Sequence, residues 1–200
     1  ILGVILGGRL GYIIFYNFSF YINSPIHILY VWQGGMSFHG GLIGITLSML
    51  LFSLKNNIKF LSLTDLICAA APIGIFLGRI SNFLNGELWG KESSLPWAII
   101  FKCAGTNPRH PSQLYESFLE GIIIFAILYY CIFKLDFLNK VGKISGMFCI
   151  LYSCSRIIIE CFREPDRHIG FIYSYYTMGM VLSIPMLLLG IYLYLKNNNY

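Results

Sequence analysis

Apolar residues run along this chain in six blocks near the ~20-residue length that crosses a ~30 Å hydrocarbon core. They lie at 1 to 16, 36 to 54, 64 to 86, 116 to 135, 144 to 162 and 174 to 195. Polar and turn residues fall between them: "NSP" at 23 to 25, "KNNIK" at 55 to 59, "GKESSLPW" at 90 to 97, "GTNPRHPSQ" at 105 to 113, "KLDFLNKVGK" at 134 to 143 and "REPDRHIG" at 163 to 170. The pattern predicts an all-α, polytopic membrane protein, a bundle of about six helices over residues 1 to 200, with no repeat, low-complexity tract or separate soluble domain. The first block is short and opens without a methionine, so an upstream segment is expected to be missing. It has neither the basic n-region nor the small-residue cleavage site of a signal peptide.

Composition agrees. The 200 residues are 56% hydrophobic and 12% charged, against roughly 25% charged in a soluble domain. Lys55, Lys59, Lys134, Lys140, Lys143 and Lys196 fall in even connections and the tail, whereas odd connections hold Lys91 and Lys102. Positive charge gathers in cytoplasmic loops, so the even loops and the C-terminus are expected to face the cytoplasm, against the count of Arg109, Arg163 and Arg167. Cys68, Cys131, Cys149, Cys154 and Cys161 sit in apolar blocks without a C-x-x-C, and are expected to be small buried packing residues. A net charge of +5 spread over loops suits anionic lipid head groups better than nucleic acid.

Four constellations interrupt the apolar pattern. In "GRISNFLNGELWGK", residues 78 to 91, Arg79, Asn82, Phe83 and Gly86 share one helical face, with Asn85 and Glu87 close behind and Gly90 beyond. A charge at the centre of a span costs roughly 2.5 to 3.5 kcal/mol. A lone Asn there commonly bonds helix to helix; an arginine, two asparagines and a glutamate together point to function. In "YSCSRIIIECFREPD", residues 152 to 166, Tyr152, Arg156, Glu160 and Arg163 form a second stripe. Arg156 and Glu160 suit an ion pair, and two basic groups for one acid leave positive charge for an anion. Guanidinium is the natural clamp for phosphate, being planar, bidentate and always charged.

The third stretch, "GGMSFHGGLIG" at 34 to 44, sets His39 between glycine pairs at a span end, where it is either a hydrogen-bonded structural residue or a general base. The fourth, "RHPSQLYESFLEG" at 109 to 121, brings His110, Gln113, Tyr115, Glu116 and Glu120 to the start of a span. Glu116 and Glu120, at i and i+4, repel unless each has a partner or one is protonated. Glu120, a turn deeper, is expected to tolerate Gln; Glu116 is not.

Taken in this order, "FHGGLIG", "GRISNFLNGELWGK", "RHPSQLYESFLEG" and "RIIIECFREPD" resemble the bacterial prolipoprotein diacylglyceryl transferases over nearly the whole chain. The second motif resembles the family signature G-R-x-G-N-F-x-N-G-E, with Ser81 in place of a glycine and Lys91 where arginine is usual. The resemblance implies transfer of an sn-1,2-diacylglyceryl group from phosphatidylglycerol to the lipobox cysteine of a prolipoprotein signal peptide, in a bacterial plasma (inner) membrane with the site toward the outer face. It implies that the missing N-terminal segment supplies another span and a functional tyrosine, making about seven spans. His39, Arg79 and Arg156 are the implied catalytic residues, with His39 the candidate base. Arg79, Asn82, Asn85, Glu87, Gly90, Glu116, Glu160 and Arg163 are the implied substrate-binding set.

Neither metal nor soluble cofactor is expected, because no His, Cys and carboxylate cluster has ligand spacing. Two rivals have weaker support. A proton- or ion-coupled transporter would use intramembrane Arg, Glu and His, but the broken spans of two matching halves are absent from the pattern. An intramembrane protease would want a nucleophile motif or paired aspartates, whereas Asp65, Asp136 and Asp166 fall at loop edges.

Overall fold

A computed structural model describes residues 1–164 and 177–196. Asp166 and Arg167 lie outside the described residues. The chain divides into two compact units, Ile1–Leu63 and Thr64–Tyr200.

The first unit holds α1 (Leu2–Tyr16), α2 (Phe18–Asn23), two short 3₁₀ turns and α3 (Phe38–Asn56). α1 and α3 meet through glycines. A Cβ on Gly7 would stand 2.8 Å from Gly44 Cα, and one on Gly11 2.8 Å from Gly40 Cα, the close backbone approach that small residues at every fourth position allow. Ser37 caps α3 by accepting from the Gly40 amide at 3.3 Å. Arg9, a charge inside the first apolar block, is 4% exposed. Its guanidinium donates to the carbonyls of His27, Ile28, Tyr30, Gly34 and Gly35 and lies 5.2 Å from the Tyr21 ring centre. Five backbone dipoles satisfy the cation, and in return it fixes the loop between α2 and α3.

The second unit holds α5 (Ser112–Phe133), α6 (Lys143–Glu160), α7 (Met178–Leu195) and all but the first turn of α4 (Phe60–Asn85). α5 is a continuous helix whose stretch Ser117–Ile123 winds as a π-helix. Ile124, Leu128, Cys131, Phe137 and Ile144 form the apolar core. α6 and α7 cross at Gly146 and Gly190, where a Cβ on Gly146 would stand 2.8 Å from the Tyr194 amide nitrogen.

Among the described residues four helices, Phe38–Asn56, Phe60–Asn85, Ser112–Phe133 and Met178–Leu195, are long and apolar enough to cross a membrane. Helices also cover the other two predicted blocks. Leu2–Tyr16 is apolar but only 15 residues long, and Lys143–Glu160 carries three charged side chains in 18 residues. Large apolar side chains such as Leu47, Leu51, Phe118, Ile122, Leu182 and Leu188 are exposed, while Glu, Arg, Asp, Ser and Gln are buried. That distribution inverts the soluble rule and suits an apolar solvent around the helices. The protein is a multi-pass membrane protein.

Two expectations need amending. Cys131 is buried, but Cys154 and Cys161 are exposed, so they are outward-facing apolar residues instead of interior packing. Asp65 is not at a loop edge: α4 starts at Phe60, and Asp65 is 1% exposed. Its carboxylate accepts from the Gly142 amide at 2.6 Å and from the amide and hydroxyl of Ser145, both at 2.7 Å. It therefore caps the amino end of α6 from a neighbouring helix. Asp65→Ala should lower unfolding stability in detergent by about 2 kcal/mol, with Asp65→Asn losing less; an Ala variant as stable as the parent would dismiss this capping role.

Candidate functional site

The end of α4 is set by its own residues. Gly86 adopts φ +67°, its amide donates to Phe83 at 3.1 Å, and the Glu87 amide donates to Asn82 at 2.9 Å. This is a Schellman stop, and glycine is the residue that takes the left-handed position without strain. The Asn-Gly-Glu of the motif is thus a helix terminator, and it leaves Arg79 about two turns inside. Asn85 Nδ2 donates to Glu87 Oε1 at 2.9 Å, and both side chains are exposed.

The chain beyond is knotted onto α5 and α6. Gln113 Nε2 donates to the Glu87 carbonyl at 2.6 Å and Ser112 Oγ to that of Leu88 at 3.1 Å. Gly90 donates to the His110 carbonyl and Lys91 to that of Phe162, each at 2.9 Å. A Cβ on Gly90 would lie 2.7 Å from the carbonyl oxygens of both His110 and Phe162, so no larger residue fits between these backbones. Lys91 Nζ donates to the Cys161 carbonyl at 2.9 Å, at the carboxyl end of α6 where a cation is favoured. Arg109 reaches Glu92 at 3.2 Å and Glu164 at 3.3 Å.

Behind this knot lies a cluster of buried charges. Glu116 and Glu120 on α5 are both 0% exposed, and Glu160 at the end of α6 is 4% exposed. Glu116 Oε1 accepts from Arg156 Nη1 at 2.9 Å and from Arg163 Nη1 at 3.2 Å. Its Oε2 is 2.9 Å from Arg79 Nε, a charge contact outside hydrogen-bond geometry. Arg156 Nη2 donates to Glu160 Oε1 at 2.6 Å, so the expected i, i+4 pair forms. Glu120 is held more loosely, with Arg79 Nη2 at 3.7 Å and Arg156 Nη1 at 3.9 Å. Positive charge is not left over as the α6 stripe alone suggested. Glu116 takes up the second arginine, and among the described residues three guanidinium groups face three carboxylates.

Arg79, Arg156, Glu116, Glu160 and Arg163 of the sequence-derived set are therefore gathered at one place. Asn82 lies one turn from Arg79 on α4, and Gly90 lies in the knot. His39 belongs to the first unit, where it is exposed in the opening turn of α3 with its ring against Phe38. Sequence reasoning left Glu120 out of the site and passed over Arg9. A charge inside an apolar block was the available signal for both.

Beside the cluster, the same ends of α5 and α6 frame an apolar groove of ≈ 470 Å³, lined by Leu95, Trp97, Leu114, Phe118, Ile159 and Phe162 among others. Three polar groups are set in its wall. Trp97 Nε1 donates to the Tyr115 hydroxyl at 2.8 Å, and that hydroxyl is 3.2 Å from His110 Nδ1.

Fold and site together define a multi-pass helical membrane protein in which three arginines are presented on buried glutamates near the helix ends, next to an apolar groove. The sequence matches the family described as prolipoprotein diacylglyceryl transferase over residues 1–196. It is 52% identical over 192 residues to the phosphatidylglycerol--prolipoprotein diacylglyceryl transferase of Brucella anthropi, covering 96% of this chain and 68% of that protein. It is 53% identical over 196 residues to the enzyme of that name from Rickettsia bellii, covering 98% and 74%, and 55% identical over 199 residues to that from Rickettsia typhi, covering 100% and 77%. The chain belongs to the prolipoprotein diacylglyceryl transferase family.

Proposed function

We propose that this protein moves the sn-1,2-diacylglyceryl group of phosphatidylglycerol onto the lipobox cysteine thiol of prolipoprotein signal peptides. In that reaction a thiolate attacks a glycerol carbon. A C–S thioether bond forms, the C–O bond to phosphate breaks, and the electron pair leaves with glycerol phosphate. Two demands follow: a base for the thiol proton, and positive hydrogen-bond donors for the departing phosphate. The observation that carries the reading is the gathering of Arg79, Arg156 and Arg163 on Glu116, in a member of this family.

In this reading Arg79 holds the head-group phosphate, since its side chain is the most exposed of the three at 18%, against 13% for Arg156 and 9% for Arg163. Arg156, fixed between Glu116 and Glu160, and Arg163 steer the phosphate. Asn82, Asn85, Glu87 and Gly90 shape the approach, and His39 takes the thiol proton. The protein works in a bacterial plasma membrane, with the "GKESSLPW" loop outside and "KNNIK" and the C-terminus in the cytoplasm, following the lysine distribution.

A synthetic lipobox peptide incubated with membranes of the full-length protein and phosphatidylglycerol should gain the mass of one diacylglyceryl group. No gain from correctly inserted protein would end this reading. The transporter alternative has no counterpart among the relatives named above.

A further inference from the structure

We infer that an anion entering the arginine cluster brings a proton with it, and that Glu120 takes that proton. The inference rests on the reading above, in which the anion is a phosphatidylglycerol phosphate. Among the described residues the cluster is balanced: Arg79, Arg156 and Arg163 against Glu116, Glu120 and Glu160. A phosphodiester adds one negative charge in a place where solvent screens poorly. One carboxylate must therefore leave or lose its charge.

The three carboxylates are not equally free to do so. Glu116 contacts all three guanidinium groups. Glu160 is bonded to Arg156 at 2.6 Å and has the Gly179 backbone against its carboxylate. Glu120 is 0% exposed, yet neither of its oxygens accepts a hydrogen bond, and its nearest guanidinium nitrogens are at 3.7 and 3.9 Å. Protonating it breaks no hydrogen bond, releases Arg79 Nη2 for the incoming phosphate, and creates an O–H donor in the site. Among the described residues, the other titratable groups facing it are Glu116 on its own helix, Arg79 on α4, Tyr152 and Arg156 on α6, and Arg163 just beyond. α7 brings no charged side chain, and Tyr152 is a neutral phenol. The balance is one carboxylate plus one solvent proton giving one carboxylic acid.

Glu120→Gln carries the neutral state permanently and has nearly the same shape, which makes the test one of gain. The full-length protein in phosphatidylcholine nanodiscs is titrated with short-chain phosphatidylglycerol, by calorimetry in two buffers of different ionisation enthalpy. The parent should take up about one proton per lipid bound, and by linkage its affinity should then fall about tenfold per unit rise in pH. Glu120→Gln should take up none, lose the pH dependence, and bind roughly tenfold tighter at neutral pH. A merely structural carboxylate would give weaker binding on removal.

Lipid binding by the parent without proton uptake overturns the inference and leaves the function standing. Undiminished uptake in Glu120→Gln overturns the assignment to Glu120. Failure of the parent to bind phosphatidylglycerol at all overturns the underlying reading as well.

Discussion

Arg79→Lys should fail to restore the transfer that Arg79→Ala abolishes. The arginine already divides its guanidinium, with Nε against Glu116 at 2.9 Å and Nη2 toward Glu120 at 3.7 Å. Its planar fork can hold Glu116 with one edge and offer the other to a phosphate. An ammonium is a single point of charge and cannot serve both in fixed directions. Losing one charge-assisted hydrogen bond to the leaving group removes roughly 1.5 to 3 kcal/mol, or about ten- to a hundredfold in rate. The measurement is diacylglyceryl transfer at saturating lipid, with membrane abundance checked by blot. Parental turnover in the lysine variant at equal abundance would show that Arg79 is only a counter-charge for Glu116, since its acidic partners are Glu116 and Glu120 and not Glu87 or Glu160.

The second large effect is at Glu116, whose carboxylate touches all three arginines. Removing one member of a buried charge pair leaves its partners uncompensated, at roughly 3 to 5 kcal/mol. Glu116→Ala should therefore lower both transfer and the amount of folded protein. Glu116→Gln keeps an acceptor oxygen, so abundance should recover. Transfer should not, because the arginines are no longer held by charge and lose their common direction. Turnover restored together with abundance in the Gln variant would reduce Glu116 to a packing element.

The helices were legible because hydropathy is a local property, and so was the Arg156 with Glu160 pair, which depends only on spacing along one helix. Partners far apart in sequence were not legible. Nothing near Arg79 announces that its acid is Glu116 and not Glu87, and nothing near Asp65 announces that it caps a helix beginning almost eighty residues later. Gly90 illustrates the same limit. Its place in the motif was visible, but its reason, two carbonyl oxygens 2.7 Å from where a Cβ would sit, belongs to segments at 110 and 162. Asn85 and Glu87 were visible in the motif, but their bond to each other on the exposed side of the helix stop depends on the turn at Gly86.

The π-wound stretch Ser117–Ile123 absorbs one residue within α5. A wide turn holds roughly one residue more than an α turn, and each residue of an α-helix advances the side chains by ~100°. Counted at the α angle, Glu116 and the apolar face running from Ile124 onward fall one residue out of register, and the wide turn makes up the difference. Deleting any one residue from the stretch would let the helix relax to a regular α form. Because the wide turn had absorbed that residue, Glu116 would keep about its present direction relative to Leu128 and Cys131, which pack the core, and the side chains inside the stretch, Glu120 among them, would turn. The wide turn thus sets where Glu120 points and leaves the direction of the helix beyond it unchanged.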